Sequence, residues 1–175
     1  MSNSMRWRWG ETNPVTVDVP STTSISMGDL VYLDDGAVKP ASAFTFGANL
    51  AATQSGFRAK FLGVAMQAKP AGTAGKVRIA TSGAFQFTCA SAQFAFGAFV
   101  APAANSSGNK LEDQKVVAVT NSRCAVGRVI RAESANVENV YIQIASTILT
   151  GGLTIDAESV PSTRSSSQTS GSNLP

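Results

Sequence analysis

Short runs of β-branched and aliphatic residues, each cut off within a few positions by Gly, Pro, Asn or Ser, recur along this chain and restrict it to an all-β fold. Val15, Val17 and Val19 alternate with Thr16 and Asp18, the period of a strand with one buried face, and Pro20 ends it. Leu30 to Leu33 and Ala37 to Lys39 flank Asp34-Asp35-Gly36, where Asp-Gly supplies the positive φ of a tight hairpin. Phe61 to Ala65, Val77 to Thr81, Ala84 to Thr88, Val116 to Thr120, Val126 to Ile130 and Val140 to Ile144 read as further strands. Only Ala48 to Lys60 has room for a short helix, and Gly56 is expected to interrupt it. Many short strands at this spacing predict a compact β-sandwich or barrel of antiparallel strands.

A weak internal duplication runs through the pattern. Met27-Gly28-Asp29-Leu30-Val31 parallels Phe96-Gly97-Ala98-Phe99-Val100, and Phe61 to Ala65 parallels Cys124 to Val129 around a glycine-centred core. Gly75-Lys76-Val77-Arg78-Ile79 parallels Glu138-Asn139-Val140-Tyr141-Ile142. Composition divides the chain into an extended N-terminal arm (1–14), a β domain (15–150) and a polar, Ser-rich C-terminal tail (151–175). Six of the last fifteen residues are serine, so that end is expected to be disordered unless a partner surface holds it.

Charged residues make up 14% of the chain, well below the roughly 25% of an average soluble protein, which suits a subunit packed against neighbours. The net charge of +3 comes from scattered basic residues, so nucleic acid is not the expected ligand. No apolar run is long enough for a membrane span and no signal peptide is apparent, which predicts synthesis in a host cytoplasm without membrane association. Cys89 and Cys124 read as buried thiols, and the sequence leaves a disulfide between them undecided.

Histidine is absent, which removes the commonest general base, every Ser-His or Cys-His pair and the commonest zinc ligand. No catalytic residue, cofactor or metal site is expected. Asp29, Asp34 and Asp35 lie close in sequence, but Asp35-Gly36 reads as a turn and not as a cation site. Glu112-Asp113 reads as a loop tip, and Ala71 to Val77 as a turn before a strand, since Pro70 and Val77 stand where a phosphate loop needs Gly and Ser or Thr.

Arg6-Trp7-Arg8-Trp9 carries the residue types that dominate interface hot spots. In an extended arm the tryptophans would share one face and the arginines the other. Four residues are too few to favour membrane insertion, and two placements stay open: an arm that docks on a neighbour, or an edge strand folded over the domain's own core.

Gly28-Asp29-Leu30-Val31, Lys39-Pro40-Ala41, Phe61-Leu62-Gly63-Val64-Ala65, Val77 to Gly83 and Gly127-Arg128-Val129, in that order, resemble a family of tailed-phage capsid decoration (cement) proteins. The likeness spans roughly residues 20–146. It implies a non-enzymatic virion protein, often a homotrimer, that binds major capsid protein on the outer surface of the assembled head and bridges neighbouring subunits. The alternatives are a head or tail accessory for carbohydrate or host-surface adhesion, and a nucleotide-processing enzyme using aspartates and magnesium. For the enzyme no convergent carboxylate set is visible.

Overall fold

The computed structural model describes residues 4–149; the C-terminal tail, and the expectation of disorder there, lie outside the described residues. The chain opens with β1 (Trp7–Trp9) and then builds two consecutive β modules. The first holds β2 (Val15–Val19), the hairpin β3 (Leu30–Asp34) and β4 (Ala37–Pro40), helix α1 (Leu50–Ala59), β5 (Phe61–Ala65) and β6 (Gly75–Ala80). The second holds β7 (Ser82–Phe94), β8 (Phe99–Ala104), β9 (Leu111–Val119), β10 (Gly127–Val129) and β11 (Glu133–Ala145).

The duplication is real at the level of topology. Strands run in the order β2-β6-β5-β3-β4 in the first module and β7-β11-β10-β8-β9 in the second, one order used twice. A parallel pairing of β7 with β9 at Thr88/Lys115 and Cys89/Val116 closes the second module into a five-stranded barrel. In the first, β2 and β4 lie against each other with no ladder between them. Hydrogen bonds repeat as well. Gly28 N–H donates to Ala65 O and Gly97 N–H to Val129 O, each at 2.8 Å, while Ala65 N–H donates to Asp29 O and Val129 N–H to Ala98 O, each at 2.9 Å. Gly28 and Gly97 have φ of +93° and +80°, a conformation that favours glycine and explains its reuse at both hairpin entries.

Each module has an interior of alternate strand residues. Val31, Leu62, Val77 and Ile79, with Val15 and Val17 packed against them, fill the first, and Val100, Val126, Val140 and Ile142, with Phe87 and Phe85, fill the corresponding places of the second. Each fully buried phenylalanine contributes about 2–3 kcal/mol relative to exposure. The outer face of the first module (Leu30, Tyr32, Phe61, Val64, Ala80) packs into the second module's core cluster, so β3 and β5 are buried on both faces.

Several expectations change in detail. Helix α1 runs through Gly56, because the missing side chain admits the Phe44 ring, whose Cζ would lie 3.2 Å from a Cβ there. Asn49 caps the helix by accepting from Ala52 N–H at 2.9 Å. Asp35 (φ +50°) and Gly36 (φ +78°) form the expected hairpin turn, and Asp34 beside them sits between Lys39 (2.8 Å) and Lys60 (2.6 Å). Those two ammonium groups hold the Asp34 carboxyl down at about 2. Glu112-Asp113 is not a loop tip: both lie on β9, and Asp113 is buried. Cys89 and Cys124 are buried and unbridged. β8 escapes the strand pattern because Ala and Pro fill it, yet its ladder to β9 runs from Phe99/Val119 to Ala104/Leu111.

Candidate functional site

Of the two placements open to Arg6–Trp9, the structure shows the edge strand. β1 pairs antiparallel with β7 at Trp7/Phe85 and Trp9/Ala84, and Gln86 N–H donates to Arg6 O at 2.9 Å. It occupies the same side of β7 that β9 takes further along, so it extends the barrel wall where β9 leaves it. The register shifts between Trp7 and Trp9, which breaks the strict alternation expected of an extended arm. Arg8 and Trp9 both reach the face carrying the cross-strand pair Gln86/Tyr141: Arg8 donates to Gln86 Oε1 at 2.7 and 3.0 Å, and Trp9 stacks on Tyr141 at 5.7 Å between centroids. Trp7 donates its indole N–H to Gly10 O at 3.1 Å.

Arg6 faces inward. Its guanidinium donates to Gln114 Oε1 at 2.8 and 3.2 Å and lies 5.7 Å from the Phe87 ring centroid. Gln114 passes the link on, donating to Asp29 Oδ1 at 2.7 Å and Met27 O at 3.2 Å. Arg6 therefore ties β1 to both modules. Gly28 makes room for it, since a Cβ there would lie 2.7 Å from Ser4 O and 2.9 Å from Arg6 Cγ.

Beside this link lie two buried carboxylates that the sequence did not mark as a pair. Asp113 Oδ1 accepts from Ser42 N–H at 2.6 Å and Oδ2 from Ser42 Oγ–H at 2.8 Å, while Asp29 accepts from Ser26 N–H at 2.7 Å. Burial, reinforced by the charge of Asp29, pushes the Asp113 carboxyl up to about 6 against the pull of its hydrogen bonds; burial raises Asp29 too. A native pKa above the unfolded one stabilises the fold fully below about pH 4 and loses that contribution as pH rises through about 6. Asp113→Asn keeps the shape and removes the charge. Between pH 7 and 4.5 the wild type is expected to gain about 2 kcal/mol relative to this variant. Denaturant melts at the two pH values test this, and parallel profiles would contradict it.

Outward, β1 and the residues before it present Met5 (42% exposed), Trp7 (39%) and Trp9 (49%), three of the five large exposed hydrophobic side chains among the described residues. The outer edge of β1 has no strand partner among those residues. Arg8 partly guards it by donating to the carbonyls of Met5 (3.3 Å) and Trp7 (3.1 Å), which alternate with the β7-bonded carbonyl of Arg6. The surface thus offers aromatic side chains on a strand fixed to a rigid body. Among the described residues no group of three or more Cys, Asp or Glu side chains is placed to hold a metal, and no helix is long and apolar enough to cross a membrane.

No known protein family and no curated protein matches the sequence. Among solved structures, the chain is similar to the head fiber gp8.5 N base of bacteriophage phi29, with a TM-score of 0.41 and 14% identity over 76% of this chain and 95% of that one. A likeness this distant carries no argument about function. The resemblance to capsid decoration proteins stands on the short motifs quoted above.

Proposed function

We propose that the protein is a non-enzymatic decoration protein of a tailed-phage head, binding major capsid protein on the outside of the assembled shell through the β1 surface. The observation that carries this reading is the exposure of Trp7 and Trp9 on an edge strand that Arg6 locks to both modules, and of Met5 just before it. Large amphipathic rings held rigid lose little entropy on docking and contribute disproportionately to interfaces. The sparse charge of the chain suits a surface meant to be covered, and the sequence resemblance supplies the partner and a trimeric body. Binding that requires the assembled lattice stabilises it by mass action, and symmetric copies acting together make a modest interface, on the order of 1,000 Å² per contact, effective.

Co-sedimentation with assembled, undecorated shells is expected to show saturable binding at a fixed ratio to capsid subunits, with no complex formed by free capsid protein. Failure to sediment with shells at any concentration would refute the proposal. The Trp9–Tyr141 stack favours one rival, a host-surface adhesion protein whose saccharide stacks on that pair. Saturable glycan binding without shell binding would select it.

A further inference from the structure

A cleft of about 610 Å³ opens on the outer face of the second module, lined by Phe96, Phe99, Arg128, Val129, Ile144 and Thr147 among others. Phe96 is 73% exposed at its rim, the most exposed large hydrophobic side chain described, and Leu149 is half-exposed just beyond Thr147. The Arg128 guanidinium lies 4.0 Å from the Phe99 ring centroid and donates to Gly97 O at 3.2 Å; Arg58 adds a second positive charge to the lining.

The duplication says what such a face is for. Phe99, Arg128 and Gln143 hold the places that Leu30, Val64 and Ala80 hold in the first module: Phe99 is the residue before the β8–β10 pair Val100/Gly127 as Leu30 precedes the β3–β5 pair Val31/Gly63. In the first module this face is buried, and the chain that follows β6 supplies the cover. In the second module the face is open within the described residues, and the chain that follows β11 lines the cleft at Ser146 and Thr147 before Ile148 packs against the first module's core. Residues 150–175 continue from there. They include Leu153-Thr154-Ile155-Asp156-Ala157-Glu158-Ser159-Val160, with three aliphatic side chains for the apolar lining and two carboxylates opposite in sign to Arg58 and Arg128. Leu153 is six residues past Thr147, a reach of up to about 20 Å, so a tether this short raises the effective concentration into the millimolar range.

We propose that this cleft is the binding site of the chain's own segment Leu153–Val160, which covers the second module as the second module covers the first. The proposal is independent of the shell-binding reading.

The test uses the full chain with the photo-crosslinking residue p-benzoylphenylalanine in place of Phe96. Irradiation is expected to give a crosslink within one chain to a peptide from residues 150–162, located by mass spectrometry on the monomer band. Leu153→Asp with Ile155→Asp places two charges against an apolar lining and is expected to cut that crosslink at least about tenfold, with a modest fall in the melting temperature of a body that still folds, since a cover that binds only the folded state stabilises it. Crosslinks between two chains would assign the cleft to a second copy and overturn the proposal. So would crosslinks that avoid residues 150–162, or a yield indifferent to the aspartates.

Discussion

Gly63→Ala is expected to lower the melting temperature by roughly 10 °C or more, the largest loss among alanine substitutions of the described glycines. A Cβ at Gly63 would fall on the carbonyl oxygen and carbon of Ala80, in the neighbouring strand β6, with Ile79 Cγ2 at 3.0 Å. The obstacle is backbone held in a ladder, so relief requires β5 and β6 to separate, and overpacking of this kind costs about 3 kcal/mol or more. Gly127 repeats the arrangement, its Cβ position 2.5 Å from Gln143 O. Gly127→Ala should therefore fall in the same direction, while Gly72→Ala, with nothing within 4 Å, tests backbone conformation alone at φ +117°. Thermal melts followed by circular dichroism decide this. A Gly63→Ala protein melting within about 2 °C of wild type would show that the close approach of β5 to β6 is not fixed as described.

The second large effect is on binding. Trp7→Ala with Trp9→Ala is expected to weaken shell binding at least about 100-fold, since central aromatic anchors are worth roughly 2 kcal/mol or more each. The body should barely notice. Both rings are substantially exposed, and what is lost is the stack of Trp9 on Tyr141, worth about 1 kcal/mol, and the exposed hydrogen bond from Trp7 to Gly10 O. Arg6→Ala makes the contrast: it breaks the links to Gln114 and through it to Asp29, so it should loosen β1 and lower both stability and binding. Deleting the N-terminus confounds the two effects by stripping the edge of β7. Equilibrium binding to shells, with melts of the same proteins, separates them; a double tryptophan variant that binds at full strength would remove β1 from the interface.

The strands whose pattern is local were legible. Val15 to Val19, the Asp35-Gly36 hairpin and β5 follow from local apolar pattern and turn chemistry, and the duplication was visible in its glycines because Gly28 and Gly97 share a positive φ while Gly63 and Gly127 share a close approach to the neighbouring strand. Legibility failed where tertiary context overrides local preference. Gly56 sits inside a helix because a ring from elsewhere fills the space it leaves, and Pro102 lies within a paired strand. β7 and β11 run longer than their apolar cores because polar stretches pair through irregular registers, with shifts between Glu133 and Asn139. Asp113 looked like a solvated tip, since nothing in its neighbours announces Ser42, 71 residues away. The Arg6–Trp9 segment stood out by residue type, but a register shift, which a sequence does not display, decides which way each side chain points.

The most direct measurement is scanning calorimetry of assembled, undecorated shells with increasing amounts of the protein. A binder of the assembled lattice raises the shell's melting midpoint and saturates at one stoichiometry, and the Trp7→Ala/Trp9→Ala protein at the same concentrations does not. A shell midpoint that stays put at every concentration, or moves equally with both proteins, would contradict the account.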